Sequence, residues 1–169
     1  MDLSIIAIPY LSKDDIVRFI ESIKQHVVSL SYEIILIDNS PNTESYDIVK
    51  SKYPEITIVH NTDNPGYARG MNQGYKLAKG KYIAFMNPDM ELVEDCFSPL
   101  IKQLENNPKI GLIAPQLQYG DRTLQPTVKN DPSLSSQLLI ILKLHHLIKT
   151  KALKHYLAKD FDYSKPQFV

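Results

Sequence analysis

At 169 residues, 43% hydrophobic and 22% charged, the chain has ordinary globular usage and the size of one domain, which excludes disorder and collagen-like repeats. Cys96 is the only cysteine, so an internal disulfide framework is excluded and a reducing, cytoplasmic setting is expected. The zero net charge hides an asymmetry: residues 1–132 carry 13 basic and 17 acidic side chains, while residues 133–159 carry five lysines and no acid.

Leu3–Ile8 is a short apolar run ended by Pro9, which predicts a buried strand. It has no basic stretch before it, so no signal peptide is expected. Ser12 with Asp15 three residues on resembles a capping box, and Ile16, Phe19, Ile20, Ile23 and Val27 keep helical spacing after it. Glu33–Ile37 predicts a second strand, closed by the turn residues Asp38-Asn39-Ser40-Pro41. Ser45–Tyr53 predicts a short helix stopped by Pro54. Ile56–His60 predicts a third strand, Asn61–Gly66 a polar loop and Tyr67–Ala78 a helix closed by Gly80. Tyr82–Met86 predicts a fourth strand, Val93–Asn106 a helix and Ile110–Ala114 a fifth strand.

Gln116–Tyr119 and Thr123–Gln125 flank Gly120-Asp121 in a hairpin-like pattern. Ser133–Lys159 predicts one or two basic amphipathic helices. Pro166–Val169 reads as the entry to a further strand. The apolar run Leu138–Leu142 is far short of the roughly 20 residues that a spanning helix needs.

Apolar strands without alternation, each followed by a helix, predict an α/β fold: a Rossmann-like, doubly wound, mostly parallel sheet. Such sheets bind ligands outside the carboxyl ends of their strands, where the strand order reverses. Pro9-Tyr10, Asp38-Asn39, Asn61 with Asn64-Pro65-Gly66, and Asn87-Pro88-Asp89 all fall at that edge. Pro88 ends the fourth strand and leaves Asp89 at the edge. One carboxylate together with diphosphate oxygens and water suffices for Mg²⁺. The alternative for Asp89 is a cap on the following helix. Asp38 suits a ribose hydroxyl or a base N–H, or else a turn in which it bonds its own backbone. Gly66, Gly70 and Gly74 form a stripe that brings a helix close to another backbone, and that helix's N-terminus suits an anion. Asn72 is placed near the buried side, either as a ligand contact or as a satisfied core amide. The lysines of 133–159 make either a solvated face or a membrane-surface contact.

Leu3-Ser-Ile-Ile-Ala-Ile-Pro-Tyr10, Glu33-Ile-Ile-Leu-Ile-Asp-Asn-Ser40, Asn64-Pro-Gly-Tyr-Ala-Arg-Gly-Met-Asn-Gln-Gly74 and Met86-Asn-Pro-Asp89 together resemble the family-2 inverting glycosyltransferases of GT-A fold. The similarity is greatest to the rhamnosyltransferase-like branch, whose metal motif reads Asn-Pro-Asp. The resemblance implies a donor-binding domain over residues 1–128 and a basic helical extension over 129–169. It implies that Pro9 and Tyr10 line the nucleobase pocket and that Asp38 binds base or ribose. Asn64, Gly66, Tyr67, Arg69 and Asn72 would lie beside the nucleotide, and Asn87 and Asp89 at the diphosphate, with Asp89 holding Mg²⁺ or Mn²⁺. Asn87 stands where many relatives carry the first Asp of D-x-D, and Leu11 where they carry Asn.

The implied partners are a dTDP- or UDP-sugar donor, a glycan or lipid-linked acceptor and a peripheral membrane contact through 133–159, with no nucleic acid. The implied general base lies beyond Val169, in an acceptor half. Two other readings stay open at this point: a non-catalytic nucleotide-binding module and a receiver-like signalling domain.

Overall fold

The computed structural model describes residues 1–158 and 161–165. They fall into two compact units, Met1–Ile113 and Ala114–Val169. The first unit runs β1 (Leu3–Ala7), α1 (Lys13–His26), β2 (Tyr32–Asp38), α2 (Glu44–Lys52), β3 (Thr57–His60), α3 (Tyr67–Leu77), β4 (Tyr82–Met86) and α4 (Phe97–Asn106). The strands form one sheet in the order β3-β2-β1-β4, and every pair is parallel.

β1 lies inside the sheet and all five of its residues are buried, which is why its sequence runs apolar without alternation. The chain builds outward from β1 to β2 and β3, then crosses back to place β4 on the other side of β1. The order therefore reverses between β1 and β4. Phe19 and Ile20 of α1, Val49 of α2 and Phe97 of α4 pack with Ile5, Ala7 and Leu36 on one face. Met71 of α3 packs with Ile6, Ile8, Ile35 and Ile37 on the other. The sheet is doubly wound, as its alternation predicts.

α3 sits close to the sheet because it has no side chain in the way. A Cβ on Gly74 would fall 2.5 Å from Ile6 Cγ2, and one on Gly70 would fall 3.1 Å from Ile8 Cδ1. The glycine stripe is thus a packing requirement. The chain returns to β4 past Ser4, whose buried hydroxyl donates to Glu33 Oε1 at 2.7 Å and accepts from the Gly80 N–H at 2.8 Å. Any side chain at Gly80 would run into the Ser4 backbone.

Three local expectations are corrected. Ile110–Ala114 forms no strand. An apolar run becomes a strand only where it pairs with a neighbour, and here Leu112 is 87% exposed. Ser12 makes no capping bond to α1. Leu11 before it has φ 51°, and Ser12 has φ −117° and ψ 40°, outside the extended region from which a cap hydroxyl reaches the helix. α4 begins at Phe97 rather than Val93 because Asp95 caps it, accepting from the Phe97 and Ser98 N–H groups at 3.1 Å each.

In the second unit, Gln118 and Leu124 make an antiparallel bridge across the expected turn. Two helices follow, α5 (Leu134–Ile141) and α6 (Lys151–Tyr156), separated by a 3₁₀ turn at Leu144–His146. Ser133 and Ser136 form a capping box on α5, and the Thr150 hydroxyl caps α6. Lys159 and the strand expected at Pro166–Val169 lie outside the described residues.

Candidate functional site at the carboxyl edge of the sheet

Because all four strands are parallel, the loops that follow them leave from one edge, with Ala7 level with Leu36 and Met86 and Asp38 level with His60. The first two loops are stitched together. The Asn39 N–H donates to the Pro9 carbonyl at 3.0 Å, and the Leu11 N–H donates to Ser40 Oγ at 2.9 Å. Pro9 is buried beneath this seam while Tyr10 projects from it, half exposed.

Asp38 is fully buried at the end of β2. Its Oδ1 accepts from the Ser40 N–H at 3.0 Å and from the Ser40 hydroxyl at 2.5 Å, and its Oδ2 lies 3.0 Å from His60 Nδ1. The turn-forming alternative for this residue is therefore realised in the structure, with an imidazole added from the register neighbour on β3. His60 in turn lies against the Tyr46 ring of α2. Ser40 and His60 were not singled out from the sequence.

An amide network joins the next two elements. Asn61 Nδ2 donates to Asn39 Oδ1 and to Gln73 Oε1, at 2.9 Å each, and Asn39 Nδ2 reaches the Gly66 carbonyl at 3.4 Å. Between Asn61 and α3, Asn64 adopts φ 38° and its Oδ1 accepts from the Gly66 N–H at 3.2 Å. Gly66 has φ 85°, a conformation that L side chains rarely adopt.

α3 then starts without a side-chain cap and without an acid in its first turn, and Arg69 sits there instead. The other helix starts at this edge are each compensated: α1 by Asp14 and Asp15, α2 by Glu44 and Asp47, α4 by the Asp95 cap. A helix start with free N–H groups, a positive dipole end and an arginine is electrostatically suited to an anion.

Beside it, the Tyr67 hydroxyl donates to Asn87 Oδ1 at 3.3 Å, which brings the start of α3 against the loop after β4. Asn87 and Asp89 are both exposed there. Asp95 caps α4, so the helix-capping alternative for Asp89 does not hold. Asn72 is exposed rather than near the buried side. The buried face of α3 is Gly70, Met71 and Gly74, and Asn72 stands about 200° around the helix from Gly70. Arg69 is exposed with it.

Asp89 is the lone carboxylate of its motif, and among the described residues no group of three or more His, Cys, Asp or Glu side chains is arranged to hold a metal ion. That donor set fits a cation held largely by a ligand's phosphate oxygens and by water, and does not fit an all-protein cage.

These features define a doubly wound α/β domain with an anion-suited edge at its switch point. The sequence profile of glycosyl transferase family 2 matches residues 4–160, and the chain belongs to that family. The receiver-like alternative is thereby set aside. An uncharacterized glycosyltransferase of Haemophilus influenzae is 30% identical over 117 residues, covering 66% of this chain and 37% of that protein. The minor teichoic acid biosynthesis protein GgaB of Bacillus subtilis is 27% identical over 165 residues, covering 94% of this chain and 18% of that protein. The chain thus spans well under half the length of these relatives. Among solved structures, S. aureus TarS 1–349 in complex with UDP superposes with TM-score 0.55 at 18% identity, covering 69% of this chain and 38% of that one. That likeness is one of fold, and it agrees with the GT-A expectation.

Proposed function

We propose that the first unit binds the nucleotide-diphosphate sugar donor of a glycosyltransferase that acts in cell-surface polysaccharide synthesis. The observation that carries the proposal is the uncapped, acid-free start of α3 with Arg69, joined through Tyr67 to the loop bearing Asn87 and Asp89. Diphosphate at this edge would meet helix N–H groups, a guanidinium and a carboxylate able to share a cation. Pro9 and Tyr10 would flank the nucleobase, with Gly66 letting the backbone of the β3–α3 loop approach and Asn64 fixing its turn. Asn72, one residue beyond the buried face, would meet the donor from the exposed side of α3. Asp38 would hold this pocket together through Ser40 and His60, and direct contact with the nucleoside would require its buried carboxylate to be uncovered.

Mg²⁺ or Mn²⁺ at Asp89 would supply positive charge against the leaving diphosphate. The residues of this chain would bind and orient the donor so that its anomeric carbon faces an acceptor hydroxyl. Relatives bearing names such as poly(ribitol-phosphate) β-glucosyltransferase and a glucosyltransferase acting on a diphosphoundecaprenol-linked sugar support a polyol-phosphate or lipid-linked glycan as acceptor. The Asn-Pro-Asp motif supports the rhamnosyltransferase-like branch with a dTDP-sugar. The fold neighbour solved with UDP supports a uridine donor instead.

Calorimetric titration with UDP and dTDP, with and without Mg²⁺, tests the proposal. Wild type should bind more tightly with the cation, and Asp89→Ala should lose that gain. Metal-independent binding of equal strength in both proteins would refute the role of Asp89. Failure of both nucleotides to bind wild type would refute the donor site.

A further inference from the structure

The second unit carries a helix whose polarity is inverted. α5 buries Ser136 completely, within the capping box that also involves Ser133. Leu139 and Ile140 are half-buried, and the other aliphatic side chains point outward. Leu134 is 79% exposed, Ile141 72% and Leu142 61%, with Leu138 half exposed between them. Their spacing is i, i+4, i+7 and i+8, so the four share one face of the helix. Leu147, just beyond, is 81% exposed. Soluble helices turn such a stripe inward.

Asp131 lies just before this stripe, and the charge that follows the stripe as far as residue 158 is all positive. Lys143, Lys149, Lys151 and Lys154 are all exposed, and residues 133–158 contain no Asp or Glu. An acidic protein partner would satisfy the lysines but would bring few groups suited to four outward aliphatic side chains. A second copy of this segment would bury the stripe only by setting lysines against lysines. An anionic bilayer offers acyl chains at the depth of the stripe and phosphates at the level of the lysines. No helix among the described residues is long and apolar enough to cross a membrane, so the contact is one that lies in the interface plane.

We propose that the exposed face of α5, with the lysines that follow it, is a docking surface for an anionic lipid bilayer. Leu134, Leu138, Ile141 and Leu142 enter the headgroup–acyl boundary, and Lys143, Lys149 and Lys151 meet lipid phosphates. The two parts differ in their response to salt. The lysines' share is screened within a Debye length, whereas the aliphatic share persists at high salt.

The test is co-sedimentation of the whole chain with vesicles of phosphatidylglycerol and phosphatidylcholine, compared with vesicles of phosphatidylcholine alone. Wild type should pellet with the anionic vesicles, less so at high salt, and stay in solution with the neutral ones. Exchanging Lys143, Lys149 and Lys151 for Gln should weaken anionic binding by roughly fivefold per lysine and flatten the salt dependence. Ile141→Ser with Leu142→Ser should weaken it by roughly tenfold per residue and leave the salt dependence in place.

The wild-type comparison stands even if a variant folds poorly. Equal sedimentation with both vesicle types, or with neither, overturns the proposal. A wild-type dimer in sedimentation velocity without vesicles, made monomeric by the two serines, also overturns it, because a second copy then covers the stripe.

Discussion

Replacing Gly74 by alanine is the sharpest probe of how α3 is seated. The new methyl would stand 2.5 Å from Ile6 Cγ2, well inside contact distance. Ile6 is fully buried in the middle of β1, on the face that also holds Ile35, Ile37 and Met71, so it has nowhere to retreat. Overpacking of this kind costs about 1–3 kcal/mol. Against it stands the helix-propensity gain of alanine over glycine, about 1 kcal/mol. A contact of 2.5 Å takes the upper part of that range, about 2–3 kcal/mol, so Gly74→Ala should lose about 1–2 kcal/mol net.

Gly70→Ala is the internal control. Its Cβ would meet the mobile end of Ile8 at 3.1 Å and Asn39 Nδ2 at 3.4 Å, contacts that can give. The propensity gain should then roughly cancel the crowding, leaving stability within about 1 kcal/mol of wild type. Urea unfolding followed by far-ultraviolet circular dichroism reads both. A Gly74→Ala protein as stable as wild type, or a Gly70→Ala protein that loses more, would refute the seating of α3 deduced from these distances.

Asp38→Ala should cost about 3–5 kcal/mol, since it strands the Ser40 N–H, the Ser40 hydroxyl and His60 Nδ1 in a buried place; an unchanged urea midpoint would contradict this. Leu11→Asn should gain about 1 kcal/mol, because a left-handed φ of 51° suits Asn better and the leucine is 58% exposed; a lowered midpoint would contradict it. Tyr53 is nearly buried and donates to Glu21 Oε1 at 2.5 Å; burial first, then that bond, pushes its pKa up to about 12. Its contribution is thus present below about pH 10, where the unfolded phenol titrates, and is lost as pH rises toward 12. Tyr53→Phe should cost about 1 kcal/mol at neutral pH and remove that alkaline slope, and parallel pH profiles for the two proteins would count against it.

The four strands were legible because each is a short apolar run that dictates its own burial. Ile110–Ala114 has the same composition, but composition does not say whether a strand edge is there to pair with. The glycine stripe was legible as a close approach. Asn72 was misplaced even though the stripe itself, followed at 100° per residue, puts it on the far side. Asp38 announced a turn through Ser40, its neighbour in sequence. His60 could not be read the same way, since only the pairing of β2 with β3 sets it level with Asp38, 22 residues earlier in the chain. The one clue was that both end predicted strands. Asn61 and Gln73 meet for a similar reason: the chain turns from β3 into α3, and the second turn of that helix comes back over the end of the strand.

Asn61 and Gln73 clasp the base of the β3–α3 loop at 2.9 Å, and Asn39 anchors the clasp to β2. Thr62, Asp63 and Asn64 lie outside it, exposed. The closure entropy of a loop grows only slowly with its length, and here the ends are tied independently of what lies between them. The segment is therefore a cassette: residues can be exchanged or added at 62–63 while the sheet, the helix, the clasp and the Asn64–Gly66 turn stay as they are. Variation at those two positions changes the surface of the carboxyl edge without the core having to be repacked around it.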